Sequence, residues 1–131
     1  MSIKTVLKMG DPTLLKRSQE VLDFNTSELH ELIQNMKDTM MHMNGAGIAA
    51  PQIGELKRVV IFGFESNERY PDESEVPYTI LINPEIEVLN DEIEEGIEGC
   101  LSVPGLSGSV PRFVNIRYKG QDQKGGVIDR V

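Results

Sequence analysis

The chain has 131 residues, enough for one hydrophobic core and too few for two. Thirteen basic and 21 acidic residues give a formal net charge of −8, which repels phosphate backbones, so direct nucleic-acid binding is not predicted. No apolar run approaches the roughly 18 residues of a membrane span, so no membrane association is predicted. The single cysteine excludes an internal disulfide. With no signal-peptide pattern at the N-terminus, we expect a cytoplasmic protein.

The N-terminal segment, residues 1–24, is expected to wrap around the domain. Within it Gly10-Asp11-Pro12 predicts a turn, because proline and glycine are typical turn residues. A short helical stretch is predicted behind this turn, from Leu14 to Ser18. These features indicate a covering segment and not a domain of its own.

The clearest predicted element is a helix from about Thr26 to Met43. Apolar residues repeat there at helical spacing and predict one core-facing stripe, formed by Leu29, Leu32, Ile33, Met36, Met40 and Met43. Asn25 is the predicted N-cap, with Glu28 three positions later in the capping-box position. At the other end, Asn44-Gly45 supplies residues that tolerate a left-handed cap.

The remainder of the chain predicts short strands separated by turns. β-Branched and aromatic residues predict strands at 58–64, 78–83, 85–89, 114–118 and 127–131, and an acidic strand runs from the turn at 90–91 to position 100. Turns are predicted at 83–84, 104–105 and 120–126, and a surface loop at 65–77. One long helix packed on short, mainly antiparallel strands is an α+β pattern in a single domain, residues 1–131.

A glycine-rich block, Gly45–Gln52, follows the predicted helix. Two glycines two positions apart let a backbone approach a ligand closely, because no side chain stands in the way. Gln52 adds a side-chain amide, a neutral donor suited to an oxygen that gains negative charge. The simpler interpretation is a helix cap that leads into a tight turn, since short glycine motifs match by chance.

A second block, residues 98–102, contains the only cysteine, Cys100. A lone cysteine is most often a small buried hydrophobic residue. A reactive one is a nucleophile, which needs a base, or a metal ligand, which needs partner ligands. The only histidines, His30 and His42, lie twelve residues apart on the predicted helix. They cannot form an i, i+4 metal pair, and we expect both to be exposed or on the flank of the helix.

Together the two blocks resemble the first two signature motifs of the peptide deformylases, a G-x-G-x-A-A-x-Q segment followed by E-G-C-L-S. The order of the motifs agrees, as does the helix-to-turn lead-in to the first one. Val110-Pro111-Arg112 also matches a recurring feature of that family. The resemblance covers essentially the whole chain. It implies a peptide-deformylase-like fold and an enzyme that hydrolyses the N-formyl group of N-formylmethionine.

The resemblance also implies catalytic roles. Cys100 would be one ligand of a metal ion, commonly Fe²⁺ or a Zn²⁺, Ni²⁺ or Co²⁺ substitute. The side chain of Gln52 and the backbone N–H of Leu101 would hold the oxyanion. In that family the metal activates a water molecule that attacks the formyl carbon.

The implied substrate is the N-formyl-methionyl end of a nascent peptide. It would lie partly as an added strand along Ala46, Gly47 and Gly99. Glu98 would pair with Arg112 in a structural ion pair. The family is cytoplasmic or organellar and acts transiently beside the ribosome, so the resemblance implies both for this chain.

The third family motif, a helix segment of the His-Glu-x-x-x-His type that carries the other metal ligands and the general base, does not occur in the 131 residues. The expectation is therefore a domain truncated at its C-terminus, without the metal-binding helix, that is an incomplete copy of a peptide deformylase. The alternative is an inactive deformylase-like domain that binds peptide without a catalytic metal. A third hypothesis is an unrelated α+β interaction domain.

Overall fold

The computed structural model describes residues 2–64 and 76–131. The predicted loop at 65–77 lies almost wholly outside these residues. One α-helix, α1, spans Ser27–His42, and short 3₁₀ turns occupy Pro12–Leu15 and Ala50–Ile53. The strands are β1 (Gly47–Ala49), β2 (Val59–Phe64), β3 (Val76–Val88), β4 (Ile93–Cys100), β5 (Val103–Phe113), β6 (Ile116–Gln121) and β7 (Val127–Arg130).

The strands form two sheets. Five of them lie in the order β1-β2-β3-β6-β7, and β4 and β5 form a separate two-stranded hairpin. All pairs of neighbouring strands are antiparallel. Helix α1 packs on β1 and β2 at one end of the larger sheet. The predicted α+β class with mainly antiparallel strands is therefore confirmed.

The start of α1 differs from the prediction. The N-cap is Thr26, whose backbone is extended and whose hydroxyl accepts the Leu29 N–H at 3.1 Å. Asn25 precedes the cap and has a positive φ of 59°. The prediction of Asn25 as the N-cap is therefore wrong by one residue, because a cap needs the extended backbone that Thr26 adopts.

The end of α1 agrees with the prediction. Asn44 takes the left-handed conformation, with φ of 53°. The Gly45 N–H then donates to the Met40 carbonyl at 2.9 Å, and the Asn44 N–H donates to the Met41 carbonyl at 3.2 Å. These two hydrogen bonds are those of a Schellman cap, which satisfies carbonyls that the helix leaves without partners.

The core lies between α1 and the first strands. Most of the predicted apolar stripe is buried, namely Leu29, Leu32, Ile33, Met36 and Met40, and it packs with Ile48, Val59, Ile61 and Ile82 from the sheet. Met43, predicted as the end of the stripe, is instead 39% exposed. It is the C-cap residue, where the helix geometry ends and the 3.6-residue periodicity no longer applies.

Two of the predicted turns, at 83–84 and 104–105, are not turns in the structure, because their residues lie inside strands. The predicted strands at 78–83 and 85–89 are one strand, β3, whose register shifts between Ile82 and Glu85. Asn83 absorbs the irregularity with φ of 54°, and its side chain bonds both the N–H and the carbonyl of Val21 at 2.8 Å. The predicted turn at 104–105 lies inside β5, because the hairpin turns earlier, at 101–102.

The remaining predictions shift by a few residues. The predicted strand at 114–118 is observed as β6, and the predicted helical stretch at 14–18 is the 3₁₀ turn Pro12–Leu15. The final strand is confirmed as β7, after a turn in which the Asp122 carboxylate accepts the Lys124 and Gly126 N–H groups at 2.8 Å. These hydrogen bonds lower the pKa of Asp122 below its usual range.

Met36 provides a test of the helix phase, because its side chain is fully buried. Replacing Met36 with Ala should lower the free energy of unfolding by about 2–5 kcal/mol, through lost burial and a residual cavity. The matched control is Met41→Ala, at a position that is 68% exposed, which should change it by less than about 0.5 kcal/mol. Equal losses in urea unfolding of the two variants would contradict the assignment of the buried face.

Candidate active site

The first block joins the end of α1 to β1 and the following 3₁₀ turn. Gly47 pairs with Phe62 on β2, and a Cβ atom at Gly47 would lie 3.3 Å from the Ile61 carbonyl oxygen. A Cβ atom at Gly45 would lie 2.9 Å from Cδ1 of Leu101. A side chain at either glycine would therefore require a neighbouring group to shift, independent of any ligand.

Gln52 connects the two sequence blocks. Its Oε1 atom accepts the Ala49 N–H at 2.9 Å. Its Nε2 atom donates to Oγ of Ser102 at 3.0 Å and lies 3.6 Å from Sγ of Cys100. The structure thus brings together two predicted site residues, Gln52 and Cys100, that are 48 positions apart in sequence.

The second block occupies the turn of the β4–β5 hairpin, where neighbouring side chains point in different directions. Cys100 is exposed at the end of β4, whereas Leu101 is 7% exposed and belongs to the core. Ser102 is also buried, at 6% exposure. The buried Leu101 therefore anchors the turn, and the thiol of Cys100 stays accessible beside the amide of Gln52.

The N-terminal segment holds both blocks from the outside. The Leu7 N–H donates to the backbone carbonyl of Gln52 at 2.7 Å, and the Met9 N–H donates to that of Ser102 at 2.8 Å. We refer to Leu7–Met9 as the N-terminal strap. The sequence predicted that residues 1–24 wrap the domain, but it carried no signal for these two backbone contacts.

The predicted peptide-binding residues lie on two different sheets. Ala46 and Gly47 lie at or next to β1, the edge strand of the five-stranded sheet. The Ala46 carbonyl already accepts the Gly63 N–H at 3.1 Å. Gly99 lies on β4, opposite Ser107 in the hairpin. The contact of Gln52 with Cys100 joins the region that follows β1 to the end of β4.

Metal-binding groups are few at this site. His30 and His42 are exposed on α1, as predicted. Within residues 2–64 and 76–131, no three His, Cys, Asp or Glu side chains are placed to hold one metal ion. Cys100 is therefore the one metal-type ligand beside Gln52 in the described part of the chain. A cysteine sulfur is a common metal ligand, and the described residues around Cys100 do not complete a metal site.

The predicted ion pair between Glu98 and Arg112 is confirmed. It crosses the hairpin with two hydrogen bonds, of 2.8 and 2.9 Å. The hydrogen bonds and charge of the guanidinium lower the pKa of Glu98 below its usual range, and the carboxylate raises the pKa of Arg112. The pair braces the hairpin two positions before Cys100.

The chain is similar to known proteins over almost its whole length. The family model for polypeptide deformylase matches residues 3–130. The chain belongs to the polypeptide deformylase family. It is 56% identical over 128 residues to peptide deformylase 1 of Nitrosomonas europaea and 57% identical over 129 residues to peptide deformylase 2 of Ralstonia nicotianae. Each match covers 98% of this chain and 73% of the relative.

Solved deformylases share the fold. A class I type b peptide deformylase from Acinetobacter baumannii superposes with a TM-score of 0.93 at 36% identity, over 98% of this chain and 82% of that one. A second structure of that protein, with Met-Ala-Ser bound, gives a TM-score of 0.92. The chain is thus a member of a family of metal-dependent hydrolases, and its function is peptide deformylation.

No helix in the described part of the chain is long and apolar enough to cross a membrane.

The Glu98–Arg112 pair predicts a pH dependence of deformylase stability. Because the folded-state pKa of Glu98 is lowered, the pair stabilises the fold above the unfolded-state pKa. This contribution is lost as the pH falls through the folded-state pKa. Arg112→Gln should therefore lower the free energy of unfolding at neutral pH by roughly 0.2–1 kcal/mol, as is typical of exposed pairs.

The measurement is urea unfolding of the wild type, Arg112→Gln, Glu98→Gln and the double variant, at neutral pH and at acidic pH. The four free energies give the interaction energy of the pair at each pH. It should decrease on acidification and also on addition of salt. An interaction energy that stays constant as Glu98 becomes protonated would contradict the electrostatic explanation.

Proposed function

We propose that the site formed by Gln52 and Cys100 is where the formyl group of an N-formyl-methionyl peptide is hydrolysed. The observation that carries this proposal is the position of the Gln52 amide, with Nε2 3.6 Å from the Cys100 thiol. An amide donor beside a metal-type ligand suits the hydrolysis of an amide bond, because negative charge develops on the carbonyl oxygen in the transition state.

The chain's own residues supply oxyanion stabilisation in this proposal. Gln52 presents its Nε2 donor to the carbonyl oxygen of the formyl group, and the backbone N–H of Leu101 supplies a second donor. Leu101 is anchored in the core and Gln52 by its contacts with Ala49 and Ser102. Both donors are therefore held in place before the substrate arrives, which is the condition for effective electrostatic stabilisation.

We propose that Cys100 is one ligand of the family's metal ion, which would be Fe²⁺ or a Zn²⁺, Ni²⁺ or Co²⁺ substitute. When bound, such an ion supplies an activated water. Cys100 is the one such ligand beside Gln52 among residues 2–64 and 76–131, and the proposed chemistry requires further ligands and a general base. We also propose that residues 1–131 belong to a single peptide-deformylase-like domain.

The peptide is proposed to bind as an added strand. Edge strand β1 places the backbone near Ala46 and Gly47 at the border of the larger sheet, and Gly99 precedes Cys100 on β4. A peptide that lies between these strands would form main-chain hydrogen bonds that do not depend on its side chains. The binding of Met-Ala-Ser by the Acinetobacter baumannii relative supports a peptide ligand.

The proposed setting is the cytoplasm, with transient action beside the ribosome on nascent chains. This proposal rests on the family relationship. The net charge of −8 favours contact with a peptide emerging from the ribosome over stable binding to its RNA, because the acidic chain is repelled by phosphates.

A second function is a deformylase-like domain that binds peptide without a catalytic metal. The observation that favours it is the lack of any three-ligand cluster in residues 2–64 and 76–131. The peptide-binding strands and the Gln52 contacts do not depend on a metal and would persist in such a domain. A measurement of metal binding by the chain distinguishes the two candidate functions.

The 131-residue chain should bind a divalent ion weakly, because affinity depends on the number and geometry of ligands, and residues 2–64 and 76–131 supply Cys100 as the one such ligand beside Gln52. The measurement is elemental analysis after dialysis against Fe²⁺, Co²⁺ or Zn²⁺. The expected metal content is well below one ion per chain and the same in Cys100→Ser. A stoichiometric ion that Cys100→Ser abolishes would contradict this expectation and disfavour the metal-free function.

Gln52→Ala tests the oxyanion role in a form of the chain extended by the third family motif. Turnover of formyl-methionyl peptides should fall roughly a hundred- to a thousandfold, which corresponds to about 2.7–4 kcal/mol of transition-state stabilisation. The KM should change less, because the ground-state carbonyl carries little of the developing charge. Gln123→Ala, at an exposed turn, is the matched control.

The competing explanation makes Gln52 a turn residue, since its Oε1 atom caps the Ala49 N–H. Loss of that role would lower the thermal stability and leave turnover unchanged. Turnover and melting temperature are therefore measured on the same preparations. A lowered melting temperature with unchanged kcat would remove Gln52 from the proposed chemistry.

A further inference from the structure

We infer that Ser102 is a positioning residue that holds the carboxamide of Gln52 with its Nε2 donor facing the site. The inference rests on the proposed function of Gln52 and deepens it. Ser102 ends the second sequence block, and no role was assigned to it from the sequence. In the structure it is the nearest oxygen acceptor recorded for the Gln52 Nε2 atom, at 3.0 Å.

A primary amide can present either its oxygen or its nitrogen to a site by rotation about the last side-chain bond. The Ala49 backbone N–H can only donate, so its contact with Oε1 of Gln52 at 2.9 Å selects one of the two orientations. The nitrogen then lies on the opposite side, toward Ser102 and Cys100. The Ser102 hydroxyl can accept a hydrogen bond there and limits further rotation.

The Cys100 sulfur cannot perform this function equally well. Its separation from Nε2 is 3.6 Å, and a thiol sulfur is a weak acceptor. Cys100 is also exposed, whereas Ser102 is 6% exposed. The shorter and better shielded hydrogen bond to Oγ of Ser102 is therefore the one that restrains the amide.

The backbone contacts of Ser102 fix the position of its hydroxyl. Its carbonyl accepts the Met9 N–H at 2.8 Å, and the carbonyl of Gln52 accepts the Leu7 N–H at 2.7 Å. Leu7 and Met9, two positions apart in the N-terminal strap, thus hold the backbones of Gln52 and Ser102. Because both backbones are held, less side-chain motion is available to break the contact between the Gln52 amide and the Ser102 hydroxyl.

Ser102→Ala removes the acceptor and leaves the orienting Ala49 contact in place. The amide should then be held by the Ala49 contact alone and be less restrained, and this is observable by NMR in the 131-residue chain itself. Both side chains should give two Nε2 proton signals, because rotation about an amide C–N bond is slow. In the wild type, those of Gln52 should exchange with water more slowly than those of the exposed Gln123. In Ser102→Ala they should move toward the positions of Gln123 and exchange with water faster.

Two further variants separate positioning from a general loss of structure. Ser109→Ala removes an exposed hydroxyl from the same hairpin, one that donates to Glu95 at 3.2 Å, and should leave the Gln52 signals unchanged. Ser102→Thr keeps the Oγ acceptor and should restore them. Gln52 signals that are the same in the wild type and Ser102→Ala, with the backbone spectrum intact, would overturn the inference.

The kinetic consequence is measured in the extended form described for Gln52→Ala. Ser102→Ala should lower kcat about three- to tenfold, the range expected from one neutral hydrogen bond, with little change in KM. The double variant with Gln52→Ala should be no slower than Gln52→Ala alone. A further loss in the double variant would assign Ser102 a separate role, whereas an inactive extended form would contradict the proposed function and leave the NMR result to decide the positioning role.

Discussion

The hydrogen bonds of the Gln52 carboxamide are the interaction on which the site depends. They join a 3₁₀ turn that follows the helix to the turn of a hairpin that belongs to a separate sheet. Between these two regions, the amide reaches Ser102 at 3.0 Å and Cys100 at 3.6 Å. An amide with one donor side and one acceptor side can satisfy Ala49 and Ser102 together, which a carboxylate could not do because it has no donor.

Core packing also holds the hairpin turn against the end of α1. Leu101 is part of the core, and its Cδ1 atom would lie 2.9 Å from a Cβ atom at Gly45. The lack of a side chain at Gly45 therefore lets the hairpin turn approach the end of α1. The Schellman cap at Asn44 sets the position of Gly45. Helix termination, core packing and the separation of Gln52 from Cys100 are thus linked through adjacent residues.

Periodicity and short motifs predicted much of this arrangement from the sequence. The stripe that includes Met36, the left-handed cap at Asn44 and the deformylase motifs depend on local spacing, which a sequence displays directly. The N-cap at Thr26 was missed, because the cap depends on a backbone conformation that several residue types can adopt. The interruption at Asn83 was predicted at the right position, but it is a register shift within one strand and not a turn between two strands. The contacts of the N-terminal strap were missed for another reason. They join backbone groups, and backbone hydrogen bonds over long separations leave no signature in residue type.

In the hairpin turn, consecutive residues differ in burial and in proposed role. Leu101 contributes its side chain to the core and, in the proposed mechanism, its N–H to the oxyanion, so one residue supplies both stability and a donor. A substitution that keeps a large apolar side chain at this position would preserve both, because the backbone N–H does not depend on residue type. Cys100 and Ser102 lie on either side of Leu101, one exposed and one buried. The core contact of Leu101 therefore positions the thiol of Cys100 on the outside and the hydroxyl of Ser102 beneath the amide of Gln52.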